Sequence, residues 1–207
     1  MKTAVKNILY LVLSAVVIFT AGTVGHIQGL NRDIADSVLR LHVIANSNSV
    51  YDQEIKLKVR DGILKDCGYL FYGCKNPSEA AGIAKRNTDV ITASALKTLF
   101  ENGVVSSVDT RVEQCSFPTK EYGTVRLPSG RYTAVNVKIG AASGRNWWCV
   151  MYPPLCLTAS GVTADDKTME VLRSELSEEE YDLITQSDEI KINLKFKLAE
   201  IIGRCFN

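Results

Sequence analysis

The stretch LRLHVIANSNS, residues 39–49, predicts the first strand of the domain and the turn that follows it. Its leucines and valine alternate with Arg40 and His42, which predicts a strand from Val38 to Ala45 with one apolar face. The Asn and Ser residues that follow favour a turn and the start of a helix. That helix is predicted from Asp52 to Cys67, because apolar residues recur there at every fourth position.

A second helix has a well-marked start. Asn76 is a suitable N-cap, Pro77 occupies the first helical position and Glu79 completes a capping-box pattern. Its apolar stripe continues to Leu99, and Gly103 is suited to close it. The sequence therefore predicts one long helix between Asn76 and Gly103.

Most of the remaining pattern has the two-residue period of strands. Alternating segments lie at 108–117, 133–139 and 190–197, and a short helix opens at Ser177. Strands with one apolar face are typical of antiparallel sheets. The order of elements predicts an α+β fold, with helices packed on one face of a mostly antiparallel sheet.

The first 25 residues have the composition of a targeting segment. Lys2 and Lys6 precede an uncharged apolar run from Ile8 to about Val24. Such a run predicts a secretory signal peptide, or an uncleaved anchor, since a membrane helix needs about 20 residues. We divide the chain into a signal peptide or anchor at 1–25, a linker at 26–37 and a single domain at 38–207, with a flexible excursion near 158–170.

Charge and cysteine content exclude several classes of partner and cofactor. The chain has 24 basic and 23 acidic residues and no basic stripe, so no nucleic-acid partner is predicted. All six cysteines follow the apolar run, where an exported domain can oxidise them. With two histidines and no Cys-x-x-Cys motif, neither a zinc site nor another cofactor is predicted.

No catalytic signature occurs in the sequence. A cysteine hydrolase needs a thiol within hydrogen-bond reach of an imidazole. His42 is the only histidine inside the predicted domain, and it would have to meet Cys115, Cys149 or Cys156. The simpler interpretation makes His42 an outward-facing residue of its strand.

The segment NWWCVMYPPLC, residues 146–156, holds both tryptophans and two of the six cysteines. Neighbouring strand residues point to opposite faces, so Trp147 and Trp148 cannot both enter one core. We therefore predict a partner-binding surface around them; the alternative is that both indoles pack inside. The Pro-Pro turn between Cys149 and Cys156 predicts a disulfide, and two separate buried thiols are the alternative.

Two polar stretches are predicted to extend this surface. They contribute Arg40, His42, Asn46, Asp52 and Gln53 from the first strand, turn and helix, and Lys120 and Tyr122 from the turn after residue 117. Each stretch also has a local interpretation. The first caps a helix, and the second forms a hairpin with a packed aromatic side chain.

Taken together, these motifs resemble the stage II sporulation protein R family. The matching residues are 39–49 with 52–53, Phe117-Pro118-Thr119-Lys120 with Tyr122-Gly123, Pro128-x-Gly130-x-Tyr132, and 146–156. The resemblance covers roughly residues 38–157, and it rests on the order of all these motifs along the chain.

The resemblance implies a signal made in the forespore and exported into the intermembrane space, either secreted or membrane-anchored by its N-terminal segment. There it would bind and activate a membrane-embedded aspartic-type protease, which matures the pro-sigma-E transcription factor. Such a protein is an activator and not an enzyme. The alternatives are a secreted or anchored cell-wall hydrolase using Cys149 or Cys156 with His42, and a structural component of the intermembrane space.

Overall fold

The computed structural model describes residues 2–155 and 166–185. The helices are α1 (Lys2–Asp36), α2 (Val50–Cys67), α3 (Pro77–Arg86), α4 (Thr88–Glu101), α5 (Asp166–Glu175) and α6 (Glu178–Thr185), with a 3-10 turn at Gly68–Phe71. The strands are β1 (Leu39–Ile44), β2 (Val108–Phe117), β3 (Lys120–Tyr122), β4 (Val125–Leu127), β5 (Gly130–Ile139) and β6 (Asn146–Tyr152).

The main sheet has the strand order β2-β5-β1-β6. β5 pairs antiparallel with β2, and β1 pairs antiparallel with β6, whereas β1 and β5 run parallel. β3 and β4 form a separate antiparallel hairpin. The predicted α+β class with a mostly antiparallel sheet is confirmed.

One face of the sheet is covered by α2, α3 and α4. Leu41 and Val43 of β1 lie on this face, and Val135 and Val137 of the neighbouring strand β5 pack beside them. Ile63 of α2 meets them from the helical layer, and every one of these side chains is fully buried. The alternation in residues 39–43 therefore marks the helix-covered face as predicted.

The opposite face carries a second, smaller layer. Ile34 at the end of α1, Val125 and Leu127 of the hairpin, and Leu172 and Ile184 of the last two helices form this second cluster. The alternation of β1 does not show what covers this face. The prediction that His42 points outward to solvent is wrong, because this layer leaves only 7% of the residue exposed.

The predicted helix between Asn76 and Gly103 is two helices. Its start is as expected, since the Asn76 side chain accepts a hydrogen bond from the Glu79 amide at 2.8 Å. α3 then ends at Arg86, and the backbone of the next residue, Asn87 (φ −120°, ψ 27°), leaves the helical region. Gly103 follows α4 with φ +70°, a conformation that favours glycine.

The predictions for the C-terminal part of the chain have different outcomes. α5 was not predicted, because its segment follows an unperiodic polar stretch. The strand at 190–197 lies outside the described residues, as does most of the excursion near 158–170. The capping box of α6 is present: the Ser177 amide donates to the Glu180 carboxylate at 2.7 Å.

The N-terminal apolar run lies in α1, and its large apolar side chains are exposed. By length and composition, Lys6–Asp36 can cross a membrane, with a mean hydropathy of 2.2 in its most apolar window. This helix fits a signal or an anchor. The predicted linker at 26–37 is helical as far as Asp36, and Ile34 packs into the domain.

Candidate functional site

A pocket of about 260 Å³ opens between β6 and the β3–β4 hairpin. We call it the tryptophan pocket; its lining residues are Lys120, Glu121, Tyr122, Asn146, Trp147 and Trp148. Four of these six were predicted as partner-binding residues. Folding therefore brings together two predicted stretches that are more than twenty positions apart in the chain.

The two indoles lie on opposite sides of β6, and each is partly buried. Trp148 stacks on His42 with 4.0 Å between ring centroids and also contacts Phe117 at 4.6 Å. Trp147 lies beneath the guanidinium of Arg60, 4.4 Å from the ring centroid. Neither indole is fully buried, so both retain surface for a partner while being held in place from behind.

Arg40 lies behind the pocket and is fully buried. Its Nη2 donates to the hydroxyl of Tyr122, and its Nε donates to the carbonyl of Cys149 at 3.4 Å. The guanidinium carbon lies 4.0 Å from the ring centroid of Phe117 and 4.7 Å from that of Tyr132. Arg40 is therefore a positioning residue that fixes Tyr122 in the pocket wall.

Burial is the largest cause of the pKa shifts of Arg40, Tyr122 and Tyr132. It lowers the pKa of Arg40, although the phenol groups of Tyr122 and Tyr132 oppose the change. The same burial raises the pKa of Tyr132 to about 12 and also raises that of Tyr122. At neutral pH the cluster is a cation enclosed by neutral aromatic side chains, an arrangement stabilised by cation–π attraction.

His42 is buried beside Trp148 and Phe117, with 4.0 Å and 5.7 Å between the ring centroids. Burial lowers its pKa to about 4; the positive charges of Lys138 and Arg40 act in the same direction, and Asn146 opposes them. Within the described part of the chain, neither ring nitrogen has a hydrogen-bond partner of good geometry. His42 is thus held as a neutral ring that supports Trp148.

The geometry does not support a reactive pair of Cys149 and His42. Cys149 is paired with Leu41 in the β1–β6 register, whereas His42 is paired with Trp148. Adjacent strand residues point to opposite faces, so the Cys149 sulfur and the imidazole are separated by the sheet. Cys149 packs with the helix-covered core, on the face away from His42.

Stability should depend on pH through His42. Its pKa is about 4 in the folded chain against an ordinary 6.5, so the unfolded chain binds the extra proton between these values. The contribution of His42 to the free energy of unfolding therefore has its full value above pH 6.5 and declines as the pH falls towards 4. Between pH 7.5 and 5 we expect a loss of about 2 kcal/mol, measured by urea unfolding of the full chain in detergent.

Two variants test that assignment. His42→Phe should remove most of this pH dependence, because it keeps an aromatic ring against Trp148 and has no proton to gain. Phe100→Ala should leave the dependence unchanged, since Phe100 carries no titrating group and is 81% exposed. An identical pH profile for His42→Phe and the parent chain would contradict the assignment.

Asn46, Asp52 and Gln53 do not line the pocket; they hold a turn at the end of β1. The Asn46 amide donates to Asp52 at 3.0 Å, and the Gln53 amide donates to the Ser47 carbonyl at 2.9 Å. Hydrogen bonds from Ser47 and Asn46 lower the pKa of Asp52. The local capping interpretation describes these contacts. A partner role for the three residues stays a prediction.

The same turn supports the loop that leads into β6. The Asn46 side-chain oxygen accepts from the Ala141 amide at 3.0 Å, and the Asn48 side chain accepts from the Arg145 amide at 2.8 Å. Gly140 has φ +56°, and a Cβ there would lie 2.3 Å from the Asn46 oxygen. The turn therefore sets the position of Asn146, the first pocket residue of β6.

The predicted disulfide falls partly outside the described residues. Cys149 is fully buried on the helix-covered face and is disulfide-bonded, whereas Cys156 lies outside the described residues. Cys67, Cys74 and Cys115 carry free thiols. The pairing of Cys149 with Cys156 stays a prediction.

Some residues of the site were not predicted from sequence. Glu121 and Asn146 line the pocket, and their position next to predicted residues could have indicated them. Arg60 had no such signal, because its contact with Trp147 depends on how α2 packs against the sheet. Phe117 belongs to one of the motifs that resemble the family, but only the folded structure shows that it contacts Arg40.

These features define a class of protein: an α+β domain that follows a signal or anchor helix. The chain belongs to the Stage II sporulation protein R family, whose model matches residues 35–161. It is 36% identical over 123 residues to the Stage II sporulation protein R of Bacillus subtilis (strain 168). That alignment covers 59% of this chain and 55% of the relative, so it spans about half the relative's length. No solved structure matches the chain.

Proposed function

We propose that this protein is an exported sporulation signal that binds and activates a membrane-embedded aspartic-type protease. The activated protease removes the pro-segment of sigma-E. Membership of the family supports the sporulation role. The exposed apolar helix α1 supports export from the forespore into the intermembrane space, with the chain secreted or anchored at its N-terminus.

The observation that carries the proposal is the tryptophan pocket. All its lining residues fall within the part of the chain matched by the family model. Tryptophan and tyrosine are enriched among the residues that dominate binding energy at protein interfaces. Here two indoles and Tyr122 are held from behind by Arg40, His42 and Arg60, so little ordering is needed on binding.

Binding is favoured over catalysis by the arrangement of the candidate reactive groups. His42 is a buried, neutral ring stacked on Trp148, and Cys149 lies across the sheet from it. A hydrolase would need these groups in direct contact. The pocket instead presents aromatic faces, an amide and side chains of both charges, which are features of protein recognition.

Co-expression in a bacterium that does not form spores tests the proposal. The full chain, the protease and the pro-sigma substrate are produced together, and immunoblotting follows the shortening of the substrate. We expect shortening only when all three are present. Processing that proceeds without the chain, or fails with all three partners correctly produced, would contradict the proposal.

A variant of the leader provides the localisation control. Leu13→Arg with Val17→Arg places two charges in the apolar run, which is costly in a membrane. This chain should stay in the cytoplasm and leave the substrate unprocessed. Full processing by the retained chain would show that export is not required.

A further inference from the structure

Positive charge surrounds the tryptophan pocket on both sides of β6. Lys120 lines the pocket, and Arg40 contacts Tyr122 from behind. Lys56 and Arg60 lie on the helix side, and the exposed Arg145 directly precedes β6. Together these five residues concentrate cations around a partly apolar cavity.

Two of these cations are buried without a carboxylate partner among the described residues. Lys56 is 4% exposed; its Nζ donates to the Gln53 amide oxygen at 2.6 Å and to the Arg145 carbonyl at 3.1 Å. Arg40 is fully buried, and its Nη1 has no hydrogen-bond partner in the part of the chain that the structure describes. Uncompensated buried charge strengthens the local field, because little water screens it.

The nearby acidic side chains do not neutralise this field. Asp61 is held by Arg60 at 2.7 Å. Glu121 lines the pocket but faces Arg126 at 3.7 Å. Within the described ranges, neither Lys120 in the pocket wall nor the exposed Arg145 before β6 forms an ion pair, so both can pair with a ligand.

We propose that the tryptophan pocket binds an acidic peptide segment of the partner protein. Carboxylates of that segment would pair with Lys120 and Arg145, and an apolar side chain between them would enter the tryptophan pocket. This proposal rests on the proposed function, because the acidic segment is taken to belong to the activated protease. Charge complementarity of this kind steers encounter and selects the partner.

The position of the pocket favours a protein segment over anionic lipid. Asn146 is paired with Ile44, the last residue of β1, whereas α1 ends just before the first residue of that strand. Six strand residues separate these ends, which is roughly 20 Å at about 3.3 Å per residue. The pocket residues of β6 therefore lie beside the second half of β1, away from the end where α1 joins the strand.

The two tryptophans provide the assay, because they are the only ones in the chain and both line the pocket. The probe is a capped pentapeptide with four glutamates around a central phenylalanine. Its control has glutamines in place of the glutamates. We expect a saturable change in tryptophan fluorescence of the full chain in neutral detergent, with the glutamine peptide at least about tenfold weaker. Raising salt to about 0.5 M should weaken glutamate-peptide binding, since exposed charges are then screened.

Matched charge variants locate the site. Lys120→Gln with Arg145→Gln should reduce affinity for the glutamate peptide to that of the glutamine peptide. Arg111→Gln should leave it unchanged, because Arg111 is an exposed cation on β2 at the opposite edge of the sheet. Equal binding of both peptides, no binding of either, or indifference to the paired substitution would overturn the proposal.

Two further outcomes separate this inference from the proposed function. Binding to phosphatidylglycerol vesicles that depends on Lys120 and Arg145, without peptide binding, would assign the site to lipid and overturn the inference. Selective glutamate-peptide binding with no sigma-factor processing on co-expression would leave the acidic-ligand site standing and reject the proposed protease.

Discussion

Replacing Arg40 by alanine is expected to lower the free energy of unfolding by about 3 kcal/mol or more. The side chain is fully buried, so its removal leaves a cavity beneath Phe117 and Tyr132. The Tyr122 hydroxyl and the Cys149 carbonyl also lose the hydrogen bonds that Arg40 donates. Urea unfolding of the full chain in detergent, followed by tryptophan fluorescence, measures the loss.

The comparison variants distinguish packing from charge. Arg40→Met retains most of the volume without the charge and should cost less than alanine, since a buried charge carries its own desolvation penalty. Arg111→Ala removes an exposed arginine and should change stability by less than about 0.5 kcal/mol. If Arg40→Ala and Arg111→Ala lowered the free energy of unfolding equally little, the contacts of Arg40 with the surrounding aromatic rings would not stabilise the fold.

Replacing Trp148 by alanine is expected to abolish sigma-factor processing in the co-expression assay. Truncating a tryptophan at the centre of an interface typically costs 2 kcal/mol or more, about a thirtyfold loss of affinity. Trp148 lines the pocket and stacks on His42, so its loss removes contact area and also releases the ring behind it. Trp147→Ala should have a similar effect on processing.

Stability has to be measured in parallel, because both indoles are partly buried. Trp148→Phe keeps an aromatic ring against His42 and should restore most of the folding stability while recovering only part of the activity. Phe100→Ala is the matched control, since Phe100 is an aromatic residue 81% exposed on α4 and outside the pocket. Unfolding of both tryptophan variants, with full activity of Trp148→Phe, would make the pair structural.

The local elements were predictable because their signals are local. Alternation at residues 39–43 gave the position of β1, and the Asn76 and Ser177 capping patterns marked two helix starts. The apolar run placed the membrane-competent part of α1. The break at Asn87 was missed, because the apolar stripe of α3 continues in phase into α4.

Part of the candidate site was also predictable. Two adjacent tryptophans in a strand must point to opposite sides, and this pattern alone singled out Trp147 and Trp148. Their meeting with Lys120 and Tyr122 depends on the packing of the hairpin over β6. No local pattern encodes that contact, since it joins segments distant in the chain.

The sequence by itself determined which residues of β1 share a face, where the helices start and which family the motifs resemble. Only the tertiary structure decided that Arg40 and His42 are buried rather than outward-facing. The physical reason is that a period of two assigns side chains to faces but does not show what covers each face. The hairpin, the end of α1 and the last two helices provide that cover, and with it the enclosed cation and the neutral histidine behind the tryptophan pocket.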